Sequence, residues 1–187
     1  MAKQIAERSE VVAQLGEVFR TYGYEGASLA RITEGTGMGK GSMYHFFPGG
    51  KEEMAEAVLA NIDGWFREQV FQPLRSCEDA QQGVARMFQA VGDYFQSGQR
   101  VCLVGVFALG LERDRFTERV QGYFAEWVDA LAVALMRGGR SQADARAAAE
   151  DVVSGIQGAL VLARACNQPE LFMRALARLH AGVKSAI

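Results

Sequence analysis

Apolar residues recur at steps of three and four along almost the whole 187-residue chain, and this periodicity limits the fold more than any other feature. In the first segment Val12, Leu15, Phe19 and Tyr22 mark one face of a helix. The three prolines all lie between periodic segments, where they interrupt no helix. No run of alternating β-branched residues predicts a strand. We therefore predict an all-α fold of about nine helices.

Two short helices joined by a glycine turn follow the first helix. Ser28 is expected to cap a helix that runs to Glu34, residues 35–37 form the turn, and a second short helix spans about 38–47. The Pro-Gly-Gly sequence at 48–50 precedes a longer helix, 51–72, with two acids in its first turn. Beyond Pro73 the apolar pattern is richer and predicts five helices, at about 78–97, 102–111, 114–137, 142–166 and 169–185. We place a domain boundary near residue 50, between 1–50 and 51–187.

Charge and hydropathy exclude several classes of protein. The formal net charge is -2, so any nucleic-acid binding must depend on a local basic patch. The longest uncharged stretch in the middle of the chain, 101–111, is much shorter than the roughly 20 apolar residues of a membrane span, and we expect it to be buried. The first ten residues are charged and lack the apolar core of a secretory signal. We therefore expect a cytoplasmic protein with no membrane segment.

No pattern in the sequence indicates catalysis. The glycine-rich run 35–42 resembles a phosphate-binding loop, but Gly41 follows Lys40 where such a loop needs Ser or Thr, and a helix precedes it instead of a strand. The two histidines, His45 and His180, have no Cys, Asp or Glu at the spacing of a metal site or a catalytic triad. We expect no enzyme, no cofactor and no metal.

The stronger pattern is a helix–turn–helix whose second helix begins with small residues. Small residues at this point let a helix enter the major groove of DNA, and Gly39 and Gly41 permit that approach. Lys40 can meet a phosphate, and Ser42 and His45 can bond a base edge or the backbone. Tyr44 can present its hydroxyl to a phosphate. The alternative is that the aromatic residues are core and Lys40 is merely solvated; we accept it for Phe47 and favour DNA contact for the other four.

The segment from Ser28 to Phe47, with Lys-Glu-Glu-Met at 51–54, resembles the DNA-binding domain of TetR-family transcriptional regulators over about residues 8–60. This resemblance implies that Ser28 caps the second helix and touches phosphate. It places Lys40 to His45 on the recognition helix, with Gly41 and Tyr44 at the family's glycine and tyrosine positions. It also implies that Lys51 contacts the DNA backbone from the start of the fourth helix.

Three departures from the family pattern concern the same segment. Gly39 stands where the family commonly has a serine, so the usual serine hydroxyl at the start of the recognition helix is missing. His45 lies one position before the family's usual histidine, which is Phe46 here. The turn before Lys51 is one residue longer than the commonest spacing. The form Tyr-His-x-Phe-Pro-Gly-Gly-Lys-Glu is similar to the branch that contains the lincomycin-resistance repressor.

By the same resemblance, the second part is an all-helical ligand-binding and dimerisation domain. Its aromatic residues together suit the lining of an apolar pocket, although an ordinary core position is the favoured interpretation for each one taken singly. Small residues in the last two helices suit close packing against a second copy of the chain, with packing inside one chain as the alternative. The residues we expect to line the ligand pocket are Trp65, Phe66, Phe88, Phe95, Phe107, Phe116, Tyr123, Phe124 and Trp127.

These patterns together predict a homodimeric repressor that binds double-stranded operator DNA and is released by a small apolar or aromatic effector. One alternative is a small-molecule-binding protein or enzyme on the same fold that has lost DNA binding. Another is activation of transcription instead of repression.

Overall fold

The computed structural model describes the backbone of residues 2–184 and the side chains of residues 8–184. All regular structure in that range is helical, as predicted. The α-helices are α1 (Ala2–Gly26), α2 (Leu29–Thr36), α3 (Lys40–Phe46), α4 (Gly50–Phe66), α5 (Gln72–Ser76), α6 (Ala80–Tyr94), α7 (Leu103–Leu109), α8 (Thr117–Arg137), α9 (Gln142–Ala165) and α10 (Glu170–Lys184).

A π-helical segment, Arg67–Phe71, joins α4 to α5 without a break. Counted this way, residues 2–184 contain nine continuous helices, which matches the predicted number. The expectation that Pro73 ends the long helix is wrong. Pro73 has no N–H to donate and tolerates only the first turn of an α-helix, and it lies in the first turn of α5, directly after the wider π turn.

The first of two compact units comprises Met1–Asp63 together with Leu103–Val120. Its core contains the fully buried Leu15, Phe19, Ile32, Met43 and Phe47. The predicted functional boundary at residue 50 lies inside this unit and stays a prediction. The unit therefore combines the N-terminal helices with a segment, 103–120, that lies far along the chain.

The segment 101–111 is only partly buried. Leu103, Val104 and Phe107 face the core, as expected. Leu109 and Leu111 are 85% and 94% exposed, because the chain leaves α7 at Leu109 and enters a short 3-10 turn at Leu111–Asp114. The expectation that the whole stretch is buried is therefore wrong at its C-terminal end.

The second unit comprises Gly64–Cys102 and Gln121–Ile187. Its longest helices are α9 and most of α8, and its core is built from aromatic and aliphatic side chains that include Phe66, Phe95, Trp127 and Phe172. Asp79 and Ser141 cap α6 and α9 by accepting hydrogen bonds from the backbone N–H groups of Gln82 and Asp144. None of the described helices has the length and apolar character needed to cross a membrane.

Candidate functional site

The predicted cap of α2 is confirmed. Ser28 has extended backbone angles, and its Oγ accepts a hydrogen bond from the Arg31 backbone N–H at 3.4 Å. Gly37 ends the helix with φ of 65°, in the left-handed region that glycine enters without strain. This glycine turns the chain from α2 into α3 within three residues.

A buried threonine hydroxyl, which the sequence reasoning missed, fixes this turn. Thr36 Oγ1 donates to the Ile32 carbonyl oxygen at 2.7 Å and accepts from the Met38 backbone N–H at 3.4 Å. Its Oγ1 also lies 3.8 Å from Met43 Sδ of α3. A threonine between the two glycines of a helix–helix turn is the signal that could have identified it.

Helix α3 presents one face to the core and the other to solvent. Met43 and Phe47 are fully buried, which confirms the core assignment of Phe47. The side chains predicted to contact DNA point the other way, since all are exposed: Lys40, Ser42, Tyr44 and His45. The spacing of the two buried residues fixes which face of this short helix is free to meet a ligand.

The two glycines at the start of α3 lie in open space. Gly39 is the N-cap and offers no side-chain hydrogen bond, in line with the missing serine hydroxyl. A Cβ built on either Gly39 or Gly41 would meet no atom within 4 Å. The structure thus leaves room at both positions for another surface to approach the backbone.

The longer turn before α4 is accommodated by a second left-handed glycine. Gly50 has φ of 70°, and its N–H donates to the Phe47 carbonyl oxygen at 2.9 Å. The Gly49 N–H donates to Glu53 Oε2 at 2.7 Å, so an acid of the first turn satisfies a backbone donor at the start of the helix.

Lys51 is half-buried, and its ammonium group is held by α1. Lys51 Nζ donates to the Tyr24 carbonyl oxygen at 3.0 Å and lies 3.7 Å from Glu25 Oε2. It also lies 4.4 Å from the centroid of the Tyr24 ring. The predicted contact between Lys51 and the DNA backbone stays a prediction, and the structure adds that Lys51 ties the first turn of α4 to the last turn of α1.

The segment 28–51 has a positive charge balance within a chain of net charge -2. It contains three basic residues, Arg31, Lys40 and Lys51, against one acid, Glu34. Arg31 donates to the Gly26 carbonyl oxygen at 2.7 Å and lies over the Tyr22 ring. The net positive charge of this segment suits a polyanion.

An aromatic cluster, defined by rings around Phe66, forms the centre of the second unit. The centroid of the Phe66 ring lies 5.0 Å from that of Tyr123, 5.2 Å from Trp127 and 5.1 Å from Trp65. The centroid of the Phe95 ring lies 6.2 Å from that of Phe66. The structure brings these predicted residues together, with the half-buried Phe124 next to Tyr123. The rings of Tyr94 and Phe71 also pack against Phe66.

Three of the predicted pocket residues lie elsewhere. Phe88 stacks on His180 of α10, with ring centroids 4.7 Å apart. Phe107 and Phe116 belong to the first unit, where their rings lie 5.3 Å from each other and pack against Tyr24. Periodicity identified these three as inward-facing but not which core each would join.

The aromatic cluster contains a polar group that lacks a partner among the described residues. Trp127 is fully buried, and its Nε1–H meets no acceptor in the part of the chain that the structure describes. A buried indole N–H ordinarily finds an acceptor, so this donor is available to one brought by a ligand.

A carboxylate lies beside the aromatic cluster between two arginines. Glu126 Oε2 accepts from Arg67 at 3.1 Å and Glu126 Oε1 accepts from Arg75 at 2.9 Å. Partial burial alone would raise the pKa of Glu126. The hydrogen bonds and charges of Arg75 and Arg67 outweigh it, so that the pKa lies below its ordinary value of 4.5.

The last two helices carry an exposed groove. It has a volume of about 620 Å³ and lies between α9 and α10. Gly155 is where the helices meet within one chain, because a Cβ there would lie 2.9 Å from Leu179 Cδ2. Gly158 and Gly182 line the same groove, but a Cβ on either would meet nothing within 4 Å. Val161 and Leu162 are exposed on the same helix, α9.

Among the side chains the structure describes, no group of three or more His, Cys, Asp and Glu residues is placed to hold a metal ion. The polar groups brought together are those of α3 and its flanking turns, which suit hydrogen bonding and charge pairing. The apolar groups brought together are those of the aromatic cluster.

Comparison with known proteins matches both parts of the chain. A family model described as bacterial regulatory proteins, tetR family, matches residues 16–58. A second model, described as transcriptional regulator LmrA/YxaF-like, C-terminal domain, matches residues 80–178. The HTH-type transcriptional regulator LmrA of Bacillus subtilis (strain 168) is 25% identical over 159 residues, covering 83% of this chain and 85% of LmrA.

Solved structures share the fold. A TetR transcriptional regulator from Chloroflexus aurantiacus has a TM-score of 0.79 and 24% identity, covering 98% of this chain and 97% of that one. A cysteine mutant of the TetR-family regulator CifR, solved with 26-bp operator DNA, has a TM-score of 0.68 and 26% identity, covering 94% and 93%. The alternative of a protein that has lost DNA binding gains no support from these matches. One family model matches the helix–turn–helix, and the LmrA/YxaF-like model matches more than half of the chain. The chain therefore belongs to the TetR family of DNA-binding transcriptional regulators.

Proposed function

We propose that this protein is a cytoplasmic homodimeric repressor that binds its operator through residues 28–51 and leaves it when a small apolar or aromatic effector binds the second unit. The observation that carries the proposal is the division of α3. Met43 and Phe47 anchor the helix, while Lys40, Ser42, Tyr44 and His45 are exposed on it. Regulation of this kind needs no catalysed reaction and no cofactor.

Each of the eight residues predicted to contact DNA then has a part in DNA binding. Lys40, Tyr44, Ser28 and Lys51 contact phosphates, which position the protein on the duplex. Ser42 and His45 reach base edges or the backbone in the major groove, and Gly39 and Gly41 let α3 come close enough for that. The operator complex of CifR, a structural relative, supports DNA as the partner of this face.

Dimerisation through α9 and α10 supplies the second recognition helix. One short helix offers few contacts, and a two-fold dimer doubles them on a pseudo-palindromic operator. The open glycines of the groove and the exposed Val161 and Leu162 of α9 support this surface as the one covered by the second copy.

The aromatic cluster around Phe66 is the proposed effector site, and the other predicted pocket residues, Phe88, Phe107 and Phe116, lie outside it. An effector with an aromatic ring packs against Trp65, Phe124 and their neighbours, and an acceptor atom takes the Trp127 indole N–H. An effector that binds more tightly to a conformation that cannot bind DNA lowers the operator affinity. The size of this effect is set by the difference between the effector's affinities for the two conformations. α4 carries Lys51 in its first turn and Trp65 and Phe66 at its last, which makes it the connecting element.

The DNA-binding proposal is tested on the duplex just upstream of the protein's own gene, by fluorescence anisotropy over a range of salt concentrations. Lys40→Ala is compared with Arg86→Ala, which removes the same charge from the exposed face of α6. Because a dimer loses two phosphate contacts, Lys40→Ala reduces the salt slope of log Kd by about two. Arg86→Ala leaves both the slope and the affinity unchanged.

Absence of binding at every salt concentration, there and on other genomic fragments, contradicts the DNA-binding proposal. Equal losses for the two variants contradict the assignment of α3. A reporter under the upstream promoter separates repression from activation, since deletion of the regulator raises expression only if the protein represses.

The effector proposal has a built-in reporter. The chain contains two tryptophans, Trp65 and Trp127, and both lie in the aromatic cluster. A panel of neutral aromatic compounds is screened for quenching of tryptophan fluorescence, and the compounds that quench are tested for release of labelled operator. Compounds that quench at saturation but leave the operator bound contradict the assignment of the cluster as the effector site.

A further inference from the structure

Tyr24 is a polar side chain enclosed in the core of the first unit. It follows Gly23, whose φ of 67° breaks the last turn of α1, and it is 3% exposed. Its ring packs edge-on against Phe107 and Phe116, with centroid distances of 6.0 Å and 5.3 Å. The ring is therefore fixed by the segment 103–120, which belongs to the same unit.

Two cations hold Tyr24, one through its backbone and one through its hydroxyl. Lys51 Nζ donates to the Tyr24 carbonyl oxygen at 3.0 Å. Arg115 Nη1 donates to Tyr24 Oη at 3.3 Å, and its guanidinium carbon lies 5.5 Å from the ring centroid. Residues from α4 and from the segment 103–120 thus bind the same tyrosine.

Arg115 also binds α4 directly. Its Nη1 donates to Glu52 Oε2 at 3.0 Å, and Glu52 is the neighbour of Lys51 in the first turn of α4. The contacts form a closed circuit from Lys51 to Tyr24, from Tyr24 to Arg115, and from Arg115 to Glu52. Burial raises the pKa of Tyr24 above 10.0 despite the opposing charge of Arg115, so the hydroxyl stays protonated at neutral pH.

A second arginine provides a natural comparison. Arg119 Nε donates to Glu56 Oε2 at 3.0 Å, one helical turn further along both elements. The side chains of the Arg115–Glu52 pair are 48% and 58% exposed, and those of the Arg119–Glu56 pair are 46% and 39% exposed. Exposed ion pairs of this kind contribute little by themselves. What distinguishes Arg115 is its bond to the buried Tyr24.

We propose that Arg115 is a positioning residue for DNA binding: by joining Tyr24 to Glu52 it sets the direction of the first turn of α4 and keeps Lys51 where it meets the operator backbone. The inference rests on the proposed function, since it assumes that Lys51 contacts DNA. It assigns to the segment 103–120 a direct hold on the DNA-binding helices.

The test uses the full chain and the labelled operator duplex, with Arg115→Gln, Lys51→Ala, the double variant, and Arg119→Gln as the matched control. We expect Arg115→Gln to weaken operator binding by about three- to tenfold and Arg119→Gln by less than about twofold. If Arg115 acts through Lys51, then Lys51→Ala costs much less affinity in the Arg115→Gln background than in the wild type. Circular dichroism and thermal unfolding establish that each variant is folded.

Three results overturn the inference. Equal effects of Arg115→Gln and Arg119→Gln mean that only an ordinary ion pair was lost. If Lys51→Ala lowers operator affinity by the same factor in the wild type and in Arg115→Gln, the two residues act independently. An Arg115→Gln variant whose salt slope falls while Lys51→Ala remains additive means that Arg115 contacts phosphate itself.

A readout without DNA separates this inference from the proposed function. Hydrogen exchange of the amides in residues 50–54 is expected to speed up in Arg115→Gln and to stay unchanged in Arg119→Gln. If wild-type protein binds no operator, the proposed function fails while exchange still decides the positioning role. If exchange is the same in both variants, the positioning role fails whatever the DNA binding shows.

Discussion

Gly35 of α2 lies directly against Val18 of α1, so that a Cβ on residue 35 would overlap Val18 Cγ2. Gly41 of α3, six residues further on, faces open space. Both are helical glycines in the same unit, yet one is required by packing between helices and the other is not. The difference allows stability and DNA binding to be separated by two substitutions of the same kind.

Gly35→Ala is expected to lower the free energy of unfolding by about 1–3 kcal/mol, because α1 and α2 must move apart. Gly41→Ala is expected to raise it by about 0.5–1 kcal/mol, because alanine favours the helix and meets no neighbour. Urea unfolding at one fixed protein concentration measures both. We nevertheless expect Gly41→Ala to weaken operator binding, because the added methyl group lies between the α3 backbone and the major groove of the DNA. Unchanged binding would mean that the α3 backbone does not approach the bases at this position.

Tyr44 and Ser42 are expected to differ in what they recognise. If the Tyr44 hydroxyl holds a phosphate, Tyr44→Phe weakens binding to operator and to unrelated DNA by the same factor. If Ser42 reads a base, Ser42→Ala changes the ratio of the two affinities by about 1–3 kcal/mol. Competition anisotropy with operator and scrambled duplexes measures both, and the reverse pattern refutes these roles.

Glu126 is expected to make stability depend on pH. Since its pKa in the folded protein lies below 4.5, its ionised form stabilises the fold above that pH, and the contribution is lost as the pH falls through the folded value. Glu126→Gln therefore lowers the free energy of unfolding by about 1 kcal/mol at pH 7, and the difference from wild type shrinks on acidification. Thermal unfolding at several pH values measures this, with the exposed Glu78→Gln as control. A difference that is constant with pH contradicts the assignment.

Gly158 is expected to be covered by a second copy of the chain. Within one chain a Cβ at 158 meets nothing within 4 Å, and the same holds for Gly122 of α8. Gly158→Leu is therefore compatible with folding but breaks the dimer, whereas Gly122→Leu leaves it intact. Sedimentation velocity over a range of concentrations distinguishes them, and a dimeric Gly158→Leu protein would place the interface elsewhere.

Local patterns account for the part of the molecule that the sequence predicted well. The cap at Ser28, the glycine turn and the burial of Met43 and Phe47 depend on residues within a few positions of one another. Spacing alone determines them, so the exposed face of α3 follows from the order of its residues. The role of the Thr36 hydroxyl was not predicted, because its hydrogen bonds to Ile32 and Met38 depend on the conformation of the turn.

Long-range contacts determine the structural features that could not be predicted from the sequence. The inward direction of Phe107 and Phe116 is a matter of helical period, but their place beside Tyr24 depends on how residues more than 80 positions apart come together. The hold of Arg115 on Tyr24 and Glu52 has the same origin. The expectation that prolines lie between helices also failed to predict a helix that widens into a π turn just before Pro73.

That π turn explains why Arg67 and Arg75 reach one carboxylate. In an uninterrupted α-helix, residues eight positions apart point about 80° away from each other, whereas residues seven apart differ by only about 20°. The π turn absorbs one residue, so the two arginines behave as a pair seven apart and both meet Glu126. A chain with one residue deleted between them would keep every side chain beyond the turn on its present face. Deletion of one residue at this point is therefore structurally silent, and an alignment that penalises it would misplace the register of the helix that follows.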